Sequence, residues 1–134
     1  MTLDGSSSVK LVIPAQPRFL RLARLTAAGI GTDLGFSLHD IEDLRVAVDE
    51  ACACLMQGCA DDAHGSVHHL ELTYEVLGDK LLIAGSAPCA AGMPIDLHPV
   101  ARELLGMTAD EYDVTATDTG RAFRLVKHRQ GASV

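Results

Sequence analysis

The hydrophobic positions of this chain follow two periods. Apolar residues recur every three to four positions, the spacing of one helix face, and this pattern predicts helices over residues 18–31, 37–57 and 98–107. Runs rich in β-branched and aliphatic residues predict strands over residues 9–14, 67–77, 80–85, 112–117 and 121–128. Gly78 and Asp79 join two of these strands, and residues 118–120 join the next two, so both pairs are predicted hairpins.

This order of elements predicts an α+β fold. One strand, two helices, a hairpin, a third helix and a second hairpin suit a two-layer α/β sandwich, with a mixed, mostly antiparallel sheet and helices on one face. The length of 134 residues is that of one domain, which we assign to residues 9–129. The polar, Ser-rich residues 1–8 are predicted to be a disordered start, and residues 130–134 a flexible tail.

The helix predicted over residues 37–57 carries two distinct lines of side chains. At about 100° per residue, one stripe is apolar and consists of Ile41, Leu44, Val48, Cys52, Leu55 and Cys59. A second line, roughly opposite, consists of Asp43, Ala47, Glu50 and Cys54. The pattern predicts packing on the first side and a site on the second, with Glu50 as its carboxylate. The alternative is that Glu50 is one more solvated acid.

Composition removes several classes of function. Aromatic residues make up only 4% of the chain and the formal charge is −7, which argues against direct nucleic-acid binding. No apolar run approaches the ~20 residues of a membrane span, and no charged-then-apolar leader opens the chain. We therefore predict a cytoplasmic protein that does not contact the membrane. Its four cysteines are then expected to be reduced thiols.

The cysteines leave two weaker alternatives open. His64, His68 and His69 make no pair with a cysteine at the usual ligand spacing, so we predict no metal site, with zinc as the alternative. A redox switch between Cys54 and Cys89 is the other alternative.

The run from Asp43 to Met56 resembles the first signature helix of the GHKL (histidine kinase-like) ATPase superfamily. It is most similar to the anti-sigma factors that are also serine protein kinases, in which the helix reads roughly D-L-R-x-A-V-x-E-A-x-x-N-A-I. The match extends from Asp43 through Ala51 and implies a histidine kinase-like ATPase domain over residues 9–129. The family's general base aligns with Glu50. The family's Mg²⁺-coordinating Asn aligns with Cys54, and a thiol is a poor ligand for a hard cation.

The other nucleotide motifs of the family are eroded. Its D-x-G-x-G motif, whose Asp hydrogen-bonds the adenine amino group, aligns with Gly85, Ala87 and Cys89 in place of the Asp and the two Gly. Its Gly-rich helix start is replaced by residues 95–99, where Asp96 or a neighbour is a plausible cap that would repel phosphate. The lid that covers ATP is cut to residues 90–94. ATP and Mg²⁺, the cofactors that the resemblance implies, are therefore expected to bind weakly or not at all, which leaves Glu50 a vestigial general base.

Three arginines repeat every three residues on the first predicted helix. Arg18, Arg21 and Arg24 repel one another mildly, and the alternative is that they are simply solvated. In the family, an Arg on this helix contacts both the sigma factor and its antagonist, and Arg24 matches it best, with Arg21 second. The resemblance thus implies an anti-sigma-factor-type regulator that binds a sigma factor, a STAS-domain anti-anti-sigma protein, or both. An active serine protein kinase acting on the STAS-domain protein is the alternative, and the family also implies a homodimer through the strand before the first helix.

Overall fold

The computed structural model describes residues 7–57, 68–88 and 97–129. Within them the chain forms five strands and three α-helices in the predicted order. The strands are β1 (Ser8–Pro14), β2 (His69–Leu77), β3 (Lys80–Ala87), β4 (Glu111–Thr117) and β5 (Gly120–His128). The helices are α1 (Leu20–Asp33), α2 (Leu38–Met56) and α3 (Pro99–Thr108), and a 3-10 turn over Pro17–Phe19 precedes α1. Residues 1–6, 58–67, 89–96 and 130–134 lie outside this description, and with them most of both predicted terminal segments.

The sheet is antiparallel throughout its described pairs. Its strand order is β1-β2-β3-β5-β4, so the last strand lies between β3 and β4. All four pairings are antiparallel, which makes the predicted mixed sheet wrong in that detail. The physical reason is that consecutive strands joined by tight turns run in opposite directions, and the long connection from β1 also returns its partner antiparallel. The α+β sandwich itself is confirmed.

Local signals account for the ends of the elements. Asp40 donates its backbone N–H to Ser37 Oγ at 3.1 Å, so Ser37 caps α2, and a serine three residues before an acid is a local signal for a helix start. The first turn of α3 is capped by His98, whose Nδ1 accepts from Val100 N at 3.1 Å. That cap is a neighbour of Asp96, which lies outside the described residues. Gly78 takes a positive φ of 65° in the turn between β2 and β3, where glycine adopts this conformation without strain.

All three helices cover one face of the sheet, with α2 in the centre. It packs on α1, α3 and the strands β3 and β5. Tyr74 of β2 is fully buried and donates its hydroxyl hydrogen to Ala23 O of α1 at 2.9 Å, which ties the sheet to the outer helix. None of the helices that the structure describes is both long and apolar enough to cross a bilayer.

Candidate functional site

The apolar stripe of α2 is buried as predicted, but its second line is not an open face. Leu44, Val48 and Leu55 of the stripe are fully buried. On the second line, Ala47 and Cys54 are equally buried and Glu50 is half-buried. The reason is that α3 and β5 pack against this side of α2. The predicted site is therefore an interior position, and Cys59 lies outside the described residues.

Strand β3 brings Gly85 and Ala87 to the same interior face. Gly85 pairs with Phe123 of β5 on one side and with Leu72 of β2 on the other. A Cβ built on Gly85 would lie 2.7 Å from Phe123 Cζ and 2.9 Å from Leu72 Cδ2. Neighbouring side chains thus fill the space that any larger residue at Gly85 would need. The carboxylate that the family resemblance places here has no room in this chain.

A buried guanidinium connects the end of α2 with β5. Arg121 pairs with Ala87 across the sheet, is only 4% exposed, and donates from Nη1 to Cys54 O at 2.8 Å. Carbonyl groups in the last turn of a helix lack an intrahelical partner and carry the negative end of its dipole. Arg121 therefore satisfies and neutralises the C-terminal end of α2.

The thiol of Cys54 is poorly suited to redox chemistry. Burial raises its pKa, the negative charge of Glu50 raises it further, and the positive charge of Arg121 lowers it. Burial raises the pKa of the Cys52 thiol to about 12, with a further contribution from Asp49. Because the thiolate is the reactive form, Cys52 is inert at neutral pH and Cys54 is disfavoured as a nucleophile. Cys89, the second cysteine of the alternative redox switch, lies outside the described residues.

A second buried charge lies at the opposite end of α2. Lys127 of β5 is 5% exposed and donates from Nζ to Asp43 Oδ2 at 3.2 Å and to Thr108 O at 3.1 Å. Asp40 Oδ1 lies 3.8 Å from the same ammonium. These contacts join the N-terminus of α2, the C-terminus of α3 and the sheet. Among the described residues, no three His, Cys, Asp or Glu side chains are grouped so that they could hold a metal ion.

Sequence reasoning missed both Arg121 and Lys127. A usable signal was present, because side chains two residues apart in a strand share a face. Arg121 and Lys127 stand in register with Phe123 and Leu125 of the core, so the alternation alone puts both charges on the helix side of β5.

The predicted partner residues of α1 differ in their surroundings. Arg24 is half-buried, and its Nη1 lies 2.6 Å from Asp49 Oδ1 of α2. Arg21 is exposed, and Arg18 lies over the ring of Phe19 at 4.9 Å from its centroid. Next to them, the apolar side chains of Leu22 and Leu25 are 41% and 55% exposed.

Comparison with known proteins agrees with this architecture. Over 91% of its length, the chain superposes on a crystal structure of the RsbU and RsbW domains of a Mycobacterium tuberculosis protein. The match covers 32% of that chain, with a TM-score of 0.68 and 10% sequence identity. The two chains therefore share this fold over the superposed part. No protein-family model matches the chain.

Sequence relatives narrow the class further. The serine-protein kinase RsbW of Bacillus licheniformis is 36% identical over 112 residues, which cover 84% of this chain and 66% of that protein. RsbW of Bacillus subtilis is 34% identical over 79 residues, 58% of this chain and 48% of that protein. This chain belongs to the RsbW family of anti-sigma factors and serine-protein kinases within the GHKL superfamily. It spans about half to two-thirds of the length of these relatives.

Proposed function

We propose that this chain is an anti-sigma-factor-type regulator that binds a sigma factor, a STAS-domain anti-anti-sigma protein, or both, and thereby controls transcription. The observation that carries the proposal is the surface at the start of α1, formed by Arg21, Leu22 and Leu25 with Arg18 of the preceding 3-10 turn, which we call the α1 surface. Two exposed leucines, one turn apart, lie here beside arginines on a protein of net charge −7, and exposed apolar side chains that adjoin one another mark interaction sites when they form a patch. Membership of the RsbW family supports the choice of partner.

Apolar side chains ringed by arginines suit an acidic partner with an apolar centre. Arginine is enriched among the few residues that carry most of the binding energy of an interface, and apolar contacts around it exclude water. Arg24 contributes differently from Arg21, because Asp49 already holds it. A partner that uses Arg24 must compete with this partly exposed ion pair, which solvent screening limits to about 1 kcal/mol.

We expect an Arg21→Ala, Arg24→Ala double variant to bind its partner about 10- to 1,000-fold more weakly, mainly through faster dissociation if these charges are buried in the complex. The partner is first recovered from the source cell and identified by mass, and the affinity is then measured with purified components. Asp49→Ala distinguishes the contributions of the two arginines to binding, because it removes the ion-pair partner of Arg24 and leaves Arg21 unchanged.

Arg102→Ala is the matched control, since this arginine is exposed on α3, away from the α1 surface. Equal affinity of the wild type and the double variant would contradict the docking role of the α1 arginines. Recovery of partners that include neither a sigma factor nor a STAS-domain protein would contradict the proposed function.

An active serine protein kinase is the second candidate. It is favoured by the relatives, which are serine-protein kinases, and by the half-buried carboxylate of Glu50, one turn before Cys54. The packing at Gly85 argues against kinase activity, because Phe123 and Leu72 fill the space that a carboxylate would need there. The residues present thus do not fit the adenine end of ATP, so we derive no catalytic step from Glu50.

We expect calorimetry with Mg-ATP to give no binding tighter than about 1 mM. Loss of two hydrogen bonds to charged groups, at about 1.5–3 kcal/mol each, moves a micromolar ligand towards this range. Thermal unfolding gives a second reading, because a ligand at 100 times its Kd adds about 2.7 kcal/mol to stability. Low-micromolar binding would contradict this expectation, and phosphate transfer to a STAS-domain protein would establish the kinase.

The proposal includes a homodimer through β1. This strand is at the edge of the sheet and pairs only with β2 among the described strands. Its Val9 and Val12 are exposed. An edge strand with free backbone groups is a template for pairing with a second chain. Sedimentation velocity of the purified chain distinguishes a monomer from a dimer.

A further inference from the structure

The position that the family resemblance assigns to a nucleotide is occupied in this chain by two side chains of β5. Phe123 covers Gly85, and Arg121 crosses from the strand opposite Ala87 to the carbonyl oxygen of Cys54. Both residues are more than nine-tenths buried. Three of the residues that align with nucleotide-binding positions are Gly85, Ala87 and Cys54. Phe123 lies against the first of them, and Arg121 lies beside the other two.

The chemical character of the two side chains is informative. Phe123 places an aromatic ring against Gly85, and Arg121 places a cation at the end of α2, close enough to Cys54 to lower the pKa of its thiol. The cation also offsets the negative end of the helix dipole. Together they supply apolar contact and positive charge from within the chain.

We propose that Arg121 and Phe123 act as a built-in substitute for a ligand, so that the last turn of α2 is fixed by the chain itself and this site is closed to nucleotides. In this arrangement Arg121 is a positioning residue, since it acts by holding Cys54 and the helix end. A bound nucleotide then has no part in ordering α2. This inference concerns the interior site and does not depend on the identity of the protein partner.

Hydrogen exchange of backbone amides tests the substitute directly, because it reports local opening of a helix end. In the wild type without nucleotide, we expect the amides of residues 51–57 to be protected, and Mg-ATP to leave their exchange unchanged. In Arg121→Ala, we expect exchange in this turn to become about 10- to 100-fold faster, as expected for loss of a hydrogen bond from a charged donor. Arg121→Lys should fall between the two, because an ammonium keeps the charge and loses the planar fork.

Arg124→Ala is the matched control, since Arg124 lies in the same strand on the opposite, exposed face. Chemical rescue distinguishes loss of the guanidinium from general destabilisation. Millimolar methylguanidinium, below denaturing concentrations, should slow amide exchange in Arg121→Ala and leave amide exchange in Arg124→Ala unchanged.

Two results would overturn the proposal. One is slower exchange of residues 51–57 in the wild type on addition of Mg-ATP, a measurement that does not require any variant to fold. The other is unchanged exchange in a folded Arg121→Ala variant. Neither exchange measurement depends on whether the α1 surface binds a partner, so the two hypotheses are tested separately.

Discussion

Replacing Lys127 with methionine is expected to lower the free energy of unfolding by about 3–5 kcal/mol, because removing one member of a buried ion pair leaves the other charges uncompensated. Lys127 is the cation that lies against Asp43, Asp40 and Thr108 O in the interior. Without it, two carboxylates remain near each other at the start of α2. Denaturant unfolding of the wild type and the variant gives the difference.

Lys10→Met is the matched control for this substitution. Lys10 also extends from a strand to a carboxylate, at 2.8 Å from Glu71 Oε1, but its side chain is 64% exposed. We expect its loss to cost less than about 1 kcal/mol. A triple variant Lys127→Met, Asp40→Asn, Asp43→Asn should recover much of the lost stability, because it removes the charges as a group. A Lys127→Met variant as stable as Lys10→Met would show that the buried cluster contributes little.

Gly85→Asp is expected to destabilise the chain by about 4 kcal/mol or more, or to prevent folding. The new side chain would meet Phe123 and Leu72, and overpacking of a core typically costs about 1–3 kcal/mol. Its carboxylate would also be removed from water, which adds a desolvation cost of several kcal/mol. The thermal midpoint, or the yield of folded protein, measures the effect. The substitution introduces the acid that the family resemblance places here, yet we expect no gain of ATP binding from it.

The same substitution at Gly29 provides the comparison. A Cβ on Gly29 would meet nothing within 4 Å, and the residue lies in an exposed part of α1. We therefore expect Gly29→Asp to change stability by no more than about 1 kcal/mol. A Gly85→Asp variant with the thermal midpoint of the wild type would mean that Phe123 can move aside, and this would also weaken the inference that the site is closed.

The features that the sequence predicted well are those that depend on neighbouring residues. Helical spacing, the Ser37 cap and the turn at Gly78 all act within a few positions, and the element order that they predict is observed. The order of elements supplied the fold class, and the likeness of the α2 segment to a known family supplied its histidine kinase-like type. Glu50, Cys54, Gly85 and Ala87 as remnants of a nucleotide site, and Arg21 and Arg24 as partner contacts, remain predictions.

The features that the sequence did not predict depend on distant pairs. Arg121 meets a carbonyl 67 positions away, and Lys127 meets a carboxylate 84 positions away. The alternation with Phe123 and Leu125 places both on the core side of β5, but their partners follow only from the place of β5 in the sheet. The buried state of Cys54 was missed for the same reason, since α3 and β5 cover that side of α2 only in the assembled fold.

The place of β5 between β3 and β4 also constrains the order in which this chain can fold during synthesis. Within the described sheet, β4 pairs only with β5, so it has no strand partner until residues 120–128 have left the ribosome. The hairpin of β2 and β3 closes over a two-residue turn and forms early, whereas β1 must wait for a partner about 60 positions later, at a larger cost in loop-closure entropy. Until β5 is inserted, β3 presents an unpaired edge and α2 lacks both of its buried cations. The nascent chain is then an aggregation-prone intermediate of the kind that chaperones bind.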